Sequence, residues 1–174
     1  MKQATVQIIY DWLNSAAPFE TQEEFDNAGL QAGLPDANVS NVLLTLDVTD
    51  EVIKEAESLG AELIIAHHPL IFKPLASLNE GDFIASLTAS LIRSRIALIA
   101  AHTNMDQSVN YSGSFAMAEL LGLSGIQKKG KYLFVGELPE PIAAELLKDR
   151  VSLVLAAPVL RFGDPERKIT KLAI

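Results

Sequence analysis

The sequence predicts an α/β fold in which helices flank a mainly parallel sheet. Short apolar runs alternate along the chain with segments whose apolar residues recur at helical spacing, and this alternation is typical of β-α-β units. Three of the runs are bounded by turn residues and are almost wholly apolar, as expected for strands that are buried on both faces. These runs span residues 42–48, 62–66 and 96–101.

The helices that connect these strands have recognisable starts and ends. Apolar residues at helical spacing predict a helix over roughly residues 4 to 15, which ends before Pro18 because the residue before a proline disfavours helix. A second helix begins after Thr49, whose hydroxyl suits an N-cap, and ends at Gly60, which suits the C′ position. A third helix is predicted around residues 83–91.

The C-terminal third continues the alternation with weaker signals. A capped helix is predicted to end at Gly122, followed by a strand at residues 132–135. Residues 141–148 are predicted as a helix with a proline in its first turn, and residues 151–156 as a strand. The final residues, 168–174, are typical of a strand that has just begun.

Composition limits the classes of function. The 174 residues are 49% hydrophobic and 21% charged, as in an ordinary globular protein, and suit one domain or slightly more. The formal net charge of −8 and the lack of a basic stripe argue against binding nucleic acid or an anionic membrane. Cysteine is absent, so His, Asp and Glu are the candidate metal ligands. With no signal peptide or membrane span recognised in the sequence, we expect a cytoplasmic location.

All three histidines lie in two short motifs, each directly after a predicted strand. His67-His68-Pro69 follows the strand that ends at residue 66, and the segment from His102 to Asp106 follows the strand that ends at residue 101. The carboxyl ends of parallel strands meet at one edge of the sheet, where sites in such folds form. Because histidine is the commonest metal ligand, the two motifs predict a metal site at this edge.

The residue types suit a pair of metal ions. Adjacent side chains on extended backbone diverge, so His67 and His68 can address two ions about 3.5–4 Å apart. Asp106 supplies a carboxylate that can bridge two cations and offset their charge. The alternatives are that one histidine of the pair is a hydrogen-bonded core residue and that Asp106 is a turn or cap residue.

Four further residues, Asp47, Lys73, Asp26 and Asn27, each leave two interpretations open. Asp47 is a metal ligand or supports one, or it caps the helix that follows it, which is the simpler explanation. Lys73 contacts an anionic substrate or is a solvated surface lysine. Asp26 and Asn27 approach the site from a loop or simply form an Asx turn.

These segments resemble the Nif-three-like family of dinuclear-metal proteins, whose members are often named GTP cyclohydrolase I type 2. The matching segments extend over nearly the whole chain, and the His-His-Pro-Leu-Ile-Phe text is the most specific of them. They are residues 25–30, 43–49, 61–73, 102–106 and 118–123.

The resemblance implies a Nif-three-like α/β fold of two similar halves with two divalent metal ions between them, zinc, iron, manganese or similar. It further implies a homo-oligomer, commonly a hexameric ring. By this resemblance His67, His68 and Asp106 are metal ligands, and His102 lies beside the site as a catalytic proton-transfer group.

One departure from the family pattern affects the expected domains. Family members complete the site with a His-x-x-x-Glu element near the C-terminus, but this sequence has no histidine after His102. We therefore expect residues 1–125 to form the first half, with both histidine motifs, and residues 126–174 to be the incomplete start of a second half. The chain is expected to lack the C-terminal part.

The functional hypothesis is a dinuclear metal-dependent hydrolase that acts on a small molecule. The family resemblance implies that this molecule is a purine nucleotide such as GTP. Two cations lower the pKa of a bound water, which then attacks the substrate. The alternative is a non-catalytic metal-binding protein or an oligomeric scaffold, because the sequence carries no substrate-orienting motif.

Overall fold

The computed structural model describes residues 3–79 and 81–174 of the chain. They divide into two compact units, of which the first ends at Ser108 and the second begins at Val109. The boundary expected from the sequence lay further along the chain, after residue 125. Within the described residues no helix is long and apolar enough to cross a membrane.

The first unit contains the predicted helices and strands in their predicted order, together with three short strands before residue 40 and a short last helix that were not predicted. Its elements are β1 (Ala4–Thr5), α1 (Val6–Ala16), a 3-10 turn (Phe19–Thr21), β2 (Gly29–Ala32), β3 (Asn38–Val39), β4 (Val42–Thr45), α2 (Asp50–Ser58), β5 (Leu63–Ala66), α3 (Phe83–Ser94), β6 (Ala97–Ala100) and α4 (Thr103–Asp106).

A four-stranded sheet in the order β2-β6-β5-β4 forms the centre of this unit. β4, β5 and β6 are mutually parallel, and only β2 runs antiparallel, at one edge. The parallel strands are paired so that Thr45 lies beside Ala66 and Ala66 beside Ala100. The predicted α/β fold with a mainly parallel sheet is confirmed, and the three strands end level with one another.

At the central strands β5 and β6 both faces of the sheet are buried, which explains why these two strands are continuous apolar runs. Successive side chains along a strand point to opposite faces. Ile64 and Leu98 accordingly join the core cluster under α2 and α3, while Leu63 and Ile99 join the cluster under α1. All four side chains are completely buried.

The predicted helix ends in the first unit are confirmed. The Thr49 hydroxyl accepts a hydrogen bond from the Val52 amide at 3.3 Å and caps α2. Gly60 follows the last turn of α2 with φ +61°, a conformation that glycine adopts without steric cost. α1 begins and ends within two residues of the predicted bounds.

The second unit packs two helices on a three-stranded antiparallel sheet in the order β7-β8-β9. Its elements are α5 (Gly113–Leu120), β7 (Ser124–Lys129), β8 (Leu133–Ala143), α6 (Ala144–Leu155) and β9 (Lys168–Ala173). The final segment was predicted as a strand, and β9 confirms it.

Two predictions in the second unit are wrong. Pro141, expected in the first turn of a helix, lies in β8, at an irregularity of the β8–β9 pairing where a missing N–H is tolerated. The predicted strand at 151–156 is instead the second half of α6. This short apolar run also fits helical spacing, because Leu147, Val151 and Val154 all face the core of this unit.

Candidate metal centre

The sheet brings the three histidines together at the carboxyl ends of neighbouring strands. His67 and His68 follow β5, and their amides donate to the Thr45 and Leu46 carbonyls of the β4 segment at 3.0 and 2.9 Å. His102 follows β6 after one more residue. One ring nitrogen from each of the three histidines lies within 4.8 Å of the other two.

The protonation of His67 follows from its hydrogen bond. Its Nδ1 lies 3.0 Å from the Ala101 carbonyl oxygen, and a carbonyl can only accept. Nδ1 therefore carries the proton in the neutral ring, which leaves the lone pair on Nε2. No side-chain pattern could have pointed to Ala101, because the contact is made by its backbone.

His68 and His102 have the same arrangement with carboxylates in place of the carbonyl. His68 Nδ1 lies 2.8 Å from Asp47 Oδ1, and His102 Nδ1 lies 2.9 Å from Asp26 Oδ1. An ionised carboxylate only accepts, so both rings donate from Nδ1 and keep the Nε2 lone pair. Histidines that bind metals in proteins commonly donate their other ring nitrogen in this way.

Asp106 lies on the same side of the cluster. α4 places it one turn after His102, with its amide donating to the His102 carbonyl at 3.0 Å. Its Oδ1 is 3.6 Å from His67 Nε2, the nitrogen that carries the lone pair. The structure thus brings the three predicted ligands, His67, His68 and Asp106, into one neighbourhood and adds His102 to them.

Asp26 approaches the site from its loop, one of the two alternatives that the sequence left open. Its carboxylate is fully buried and also accepts from the Thr103 amide at 3.0 Å and from the Thr103 hydroxyl. Burial acts to raise the pKa of Asp26, but the hydrogen bonds from Thr103 and His102 outweigh it and hold the pKa below its ordinary value.

The structure also locates Asp47 and Lys73. Thr49, not Asp47, caps α2, and the Asp47 carboxylate is bonded to His68 instead. Lys73 lines an open cavity of about 470 Å³ together with Phe72. The Phe72 ring stands nearly perpendicular to the His102 ring, with the centroids 6.4 Å apart, so this cavity adjoins the histidine cluster.

The donor set fits a divalent transition metal. Neutral imidazoles and a carboxylate are ligands that zinc, iron and manganese accept, and the absence of thiolates excludes a cysteine site. His102 has the least exposed ring of the three, at 19%, and His68 the most exposed, at 49%. The cluster is therefore accessible to an ion from solution, while the hydrogen bonds at Nδ1 hold the three rings in place.

Comparison with known proteins identifies relatives along almost the whole chain. The family model of Duf34/NIF3 (NGG1p interacting factor 3) matches residues 4–174. A protein of Campylobacter jejuni named GTP cyclohydrolase 1 type 2 homolog is 37% identical over 167 residues, which are 95% of this chain and 66% of the relative. A Helicobacter pylori protein named GTP cyclohydrolase 1 type 2 is 34% identical over 170 residues, 98% of this chain and 68% of the relative.

Solved structures show the same similarity. Staphylococcus aureus hypothetical protein SA1388 superposes with a TM-score of 0.87 and 27% identity over 99% of this chain and 71% of its own. HcgD from Methanocaldococcus jannaschii superposes with a TM-score of 0.75 and 27% identity over 88% of this chain and 61% of its own. The chain spans 66% of the first two curated relatives, slightly under two thirds of their length.

Proposed function

This chain belongs to the Duf34/NIF3 family, as its sequence motifs predicted, and on that premise we propose that it is a metal-dependent hydrolase. The observation that carries the proposal is the convergence of three imidazoles, each with Nδ1 bonded to an acceptor and Nε2 free to bind a metal. The names of the relatives support a purine nucleotide, GTP in particular, as the substrate.

We assign the ion to His67, His68, Asp106 and, as a third imidazole, His102. The sequence analysis assigned His102 as a proton-transfer group. One of its ring nitrogens, however, lies within 4.8 Å of ring nitrogens of His67 and His68, which favours a ligand role. These residues would hold a divalent ion, which would supply Lewis acidity and would lower the pKa of a bound water to about 7. Asp106 offsets charge that neutral imidazoles leave uncompensated.

These four donors set the number of ions that the described residues can hold. Four protein ligands fill a tetrahedral site, so the water of a catalytic site would take a fifth position on the same ion. A second ion needs donors beyond this set. We therefore propose one ion bound by these residues, and two, the number that the family resemblance implies, only where further ligands join them.

The substrate is proposed to enter the cavity beside the cluster. Lys73 and the exposed face of Phe72 line that cavity, and Phe72 reaches the His102 ring. An ammonium group at the mouth compensates locally for the acidic protein surface and attracts an anionic group such as a phosphate. The aromatic ring offers an apolar contact to a planar base.

The test combines metal content with turnover. Purified protein is reconstituted with zinc, manganese or iron, its metal content is measured by plasma mass spectrometry, and GTP turnover is assayed. We expect about one ion per chain, and His67→Ala to lose both the ion and any turnover. Asp36→Asn, an exposed carboxylate remote in sequence from both motifs, is the control. Turnover equal in wild type and His67→Ala would refute the hydrolase proposal for that substrate.

A non-catalytic metal-binding or scaffold protein is the second candidate, and the exposed edge of the central sheet favours it. β4 is an edge strand, and Leu44 and Leu46 are 72% and 66% exposed there. Apolar side chains on an open strand edge are suited to contact with another protein surface. We propose that the chain forms a homo-oligomer, and the family resemblance implies a hexamer. Light scattering of the purified chain measures the mass of the oligomer directly.

A further inference from the structure

Asp26 has a network of contacts that a simple loop residue does not need. Its side chain has 0% exposure, and each carboxylate oxygen accepts more than one hydrogen bond. Oδ1 accepts from His102 Nδ1 at 2.9 Å and from the Asn27 amide at 2.7 Å. Oδ2 accepts from the Thr103 amide at 3.0 Å and from the Thr103 hydroxyl. The carboxylate thus joins a loop to the histidine motif 76 residues later in the chain.

Further hydrogen bonds fix the His102 motif, where this network ends. The His102 amide donates to Asn104 Oδ1 at 2.9 Å, and Asn104 Nδ2 donates to the Ala17 carbonyl at 2.7 Å. The Thr103 hydroxyl also accepts from the Glu23 amide at 3.0 Å. The backbone on both sides of the Asp26–His102 contact is therefore fixed, and the remaining freedom of the His102 ring is its tautomer and its rotation.

We propose that Asp26 is a positioning residue that holds the His102 imidazole as the Nδ1–H tautomer and directs its Nε2 lone pair into the cluster with His67 and His68. This inference rests on the proposed function, in which His102 binds the ion. It assigns to Asp26 a role that acts through His102, without contact with the ion.

Asp47 provides the internal comparison. It makes the same type of bond to His68, at 2.8 Å, but its side chain is 66% exposed and that is its one side-chain contact with the site. An asparagine at position 47 can still accept from His68 through its amide oxygen while its amide nitrogen faces water. The substitution Asp47→Asn is therefore expected to be mild.

Asp26→Asn is expected to have the opposite effect, because an amide has only one accepting oxygen. The buried Thr103 amide can only donate, whereas Asn27 is exposed and its amide can bond to water. The amide oxygen of the variant therefore turns toward Thr103, and its NH₂ group faces His102. Nδ1 of His102 must then accept, which moves the ring proton to Nε2 and removes the lone pair that a metal would use.

The first experiment observes the tautomer directly in protein without metal. A long-range proton–nitrogen correlation spectrum distinguishes the two tautomers, and its pH of about 8 is chosen above the ordinary pKa of about 6.5 for a histidine side chain. A His102→Gln variant assigns the signal, since only three histidines are present. We expect Nδ1–H for His102 in the wild type and Nε2–H in Asp26→Asn. A wild-type spectrum with Nε2–H would overturn the inference even if the variant failed to fold.

The second experiment measures zinc affinity in matched variants. We expect Asp26→Asn to raise the zinc Kd by about 10–100-fold, the usual effect of losing a residue that orients a metal-binding histidine. Asp47→Asn and Thr103→Val are expected to stay within about 3-fold, the latter because it removes only a hydroxyl from the same network and leaves His102 bonded to Asp26. Equal losses in Asp26→Asn and Thr103→Val would mean that Asp26 only anchors the loop.

The two proposals can fail separately. If the wild-type chain bound no zinc, the proposed function would fail, while the tautomer spectra would still decide the role of Asp26. If the wild type bound zinc and Asp26→Asn kept both the Nδ1–H tautomer and the wild-type Kd, the role of Asp26 would be refuted and the proposed function would stand.

Discussion

Asn104 is a buried side chain whose two hydrogen bonds join the His102 motif to the end of α1, so its removal should be costly. It is 1% exposed, accepts from the His102 amide at 2.9 Å and donates to the Ala17 carbonyl at 2.7 Å. Asn104→Ala removes the acceptor of the His102 amide and the donor to the Ala17 carbonyl. A buried N–H and a buried C=O are then left unpaired. Each such group costs about 1–3 kcal/mol, so for the two groups we expect a total loss of about 2–6 kcal/mol in the free energy of unfolding.

The assay is urea unfolding followed by the fluorescence of Trp12. This is the only tryptophan of the chain, and it lies in α1, which ends one residue before Ala17. The signal therefore reports on the first unit. The midpoint should fall while the slope m stays constant, which indicates a change in stability alone.

The control is Asn38→Ala, an exposed asparagine in β3 of the same unit. A surface change of this kind should stay within about 0.5 kcal/mol. A loss below about 1 kcal/mol for Asn104→Ala at unchanged m would refute the reasoning, because it would mean that water satisfies both backbone groups at little cost.

Three other perturbations test the packing and the charges. Leu98→Ala, completely buried in β6, should cost about 2–5 kcal/mol in the same urea assay. Gly33→Ala should also destabilise, because Gly33 has φ +99° and an added Cβ would lie 2.6 Å from the Ala97 Cβ. For Glu62→Gln, the stability difference from the wild type should be full above pH 4.5 and shrink as the pH falls further. Hydrogen bonds from the Asn41 and Ser40 amides lower the pKa of Glu62 below its ordinary 4.5, so its contribution is lost as the pH falls through that lowered pKa.

Each of these three predictions can be contradicted by a specific result. Gly29→Ala is the comparison for Gly33 in the same unit, since Gly29 also has a positive φ, of +131°, but the nearest atom to an added Cβ is 4.0 Å away. Equal losses would exclude the clash as the cause. A stability difference for Glu62→Gln that does not change between pH 7 and pH 3 would exclude the amide hydrogen bonds. A loss below about 1 kcal/mol for Leu98→Ala would mean that the core repacks around the deletion.

The structure also shows which kinds of sequence signal were reliable. Buried strands and capped helices of the first unit were predicted correctly, because each depends on neighbouring residues, such as Thr49 at the start of α2 and Gly60 after its end. The run at 151–156 was predicted wrongly, because a short and almost continuous apolar run fits a strand and a helix equally well. The contacts of α6 with the core of the second unit decided between the two periods.

The sequence by itself determined that the first unit is α/β and that the histidine motifs follow neighbouring parallel strands, because apolar periodicity and the order of elements are local properties of the chain. Only the tertiary structure decided which acceptor holds each imidazole. Asp26, Asp47 and the Ala101 carbonyl lie 76, 21 and 34 residues from the histidines that they contact. Contacts at such separations depend on strand register and loop path, and no local pattern of residue types records these.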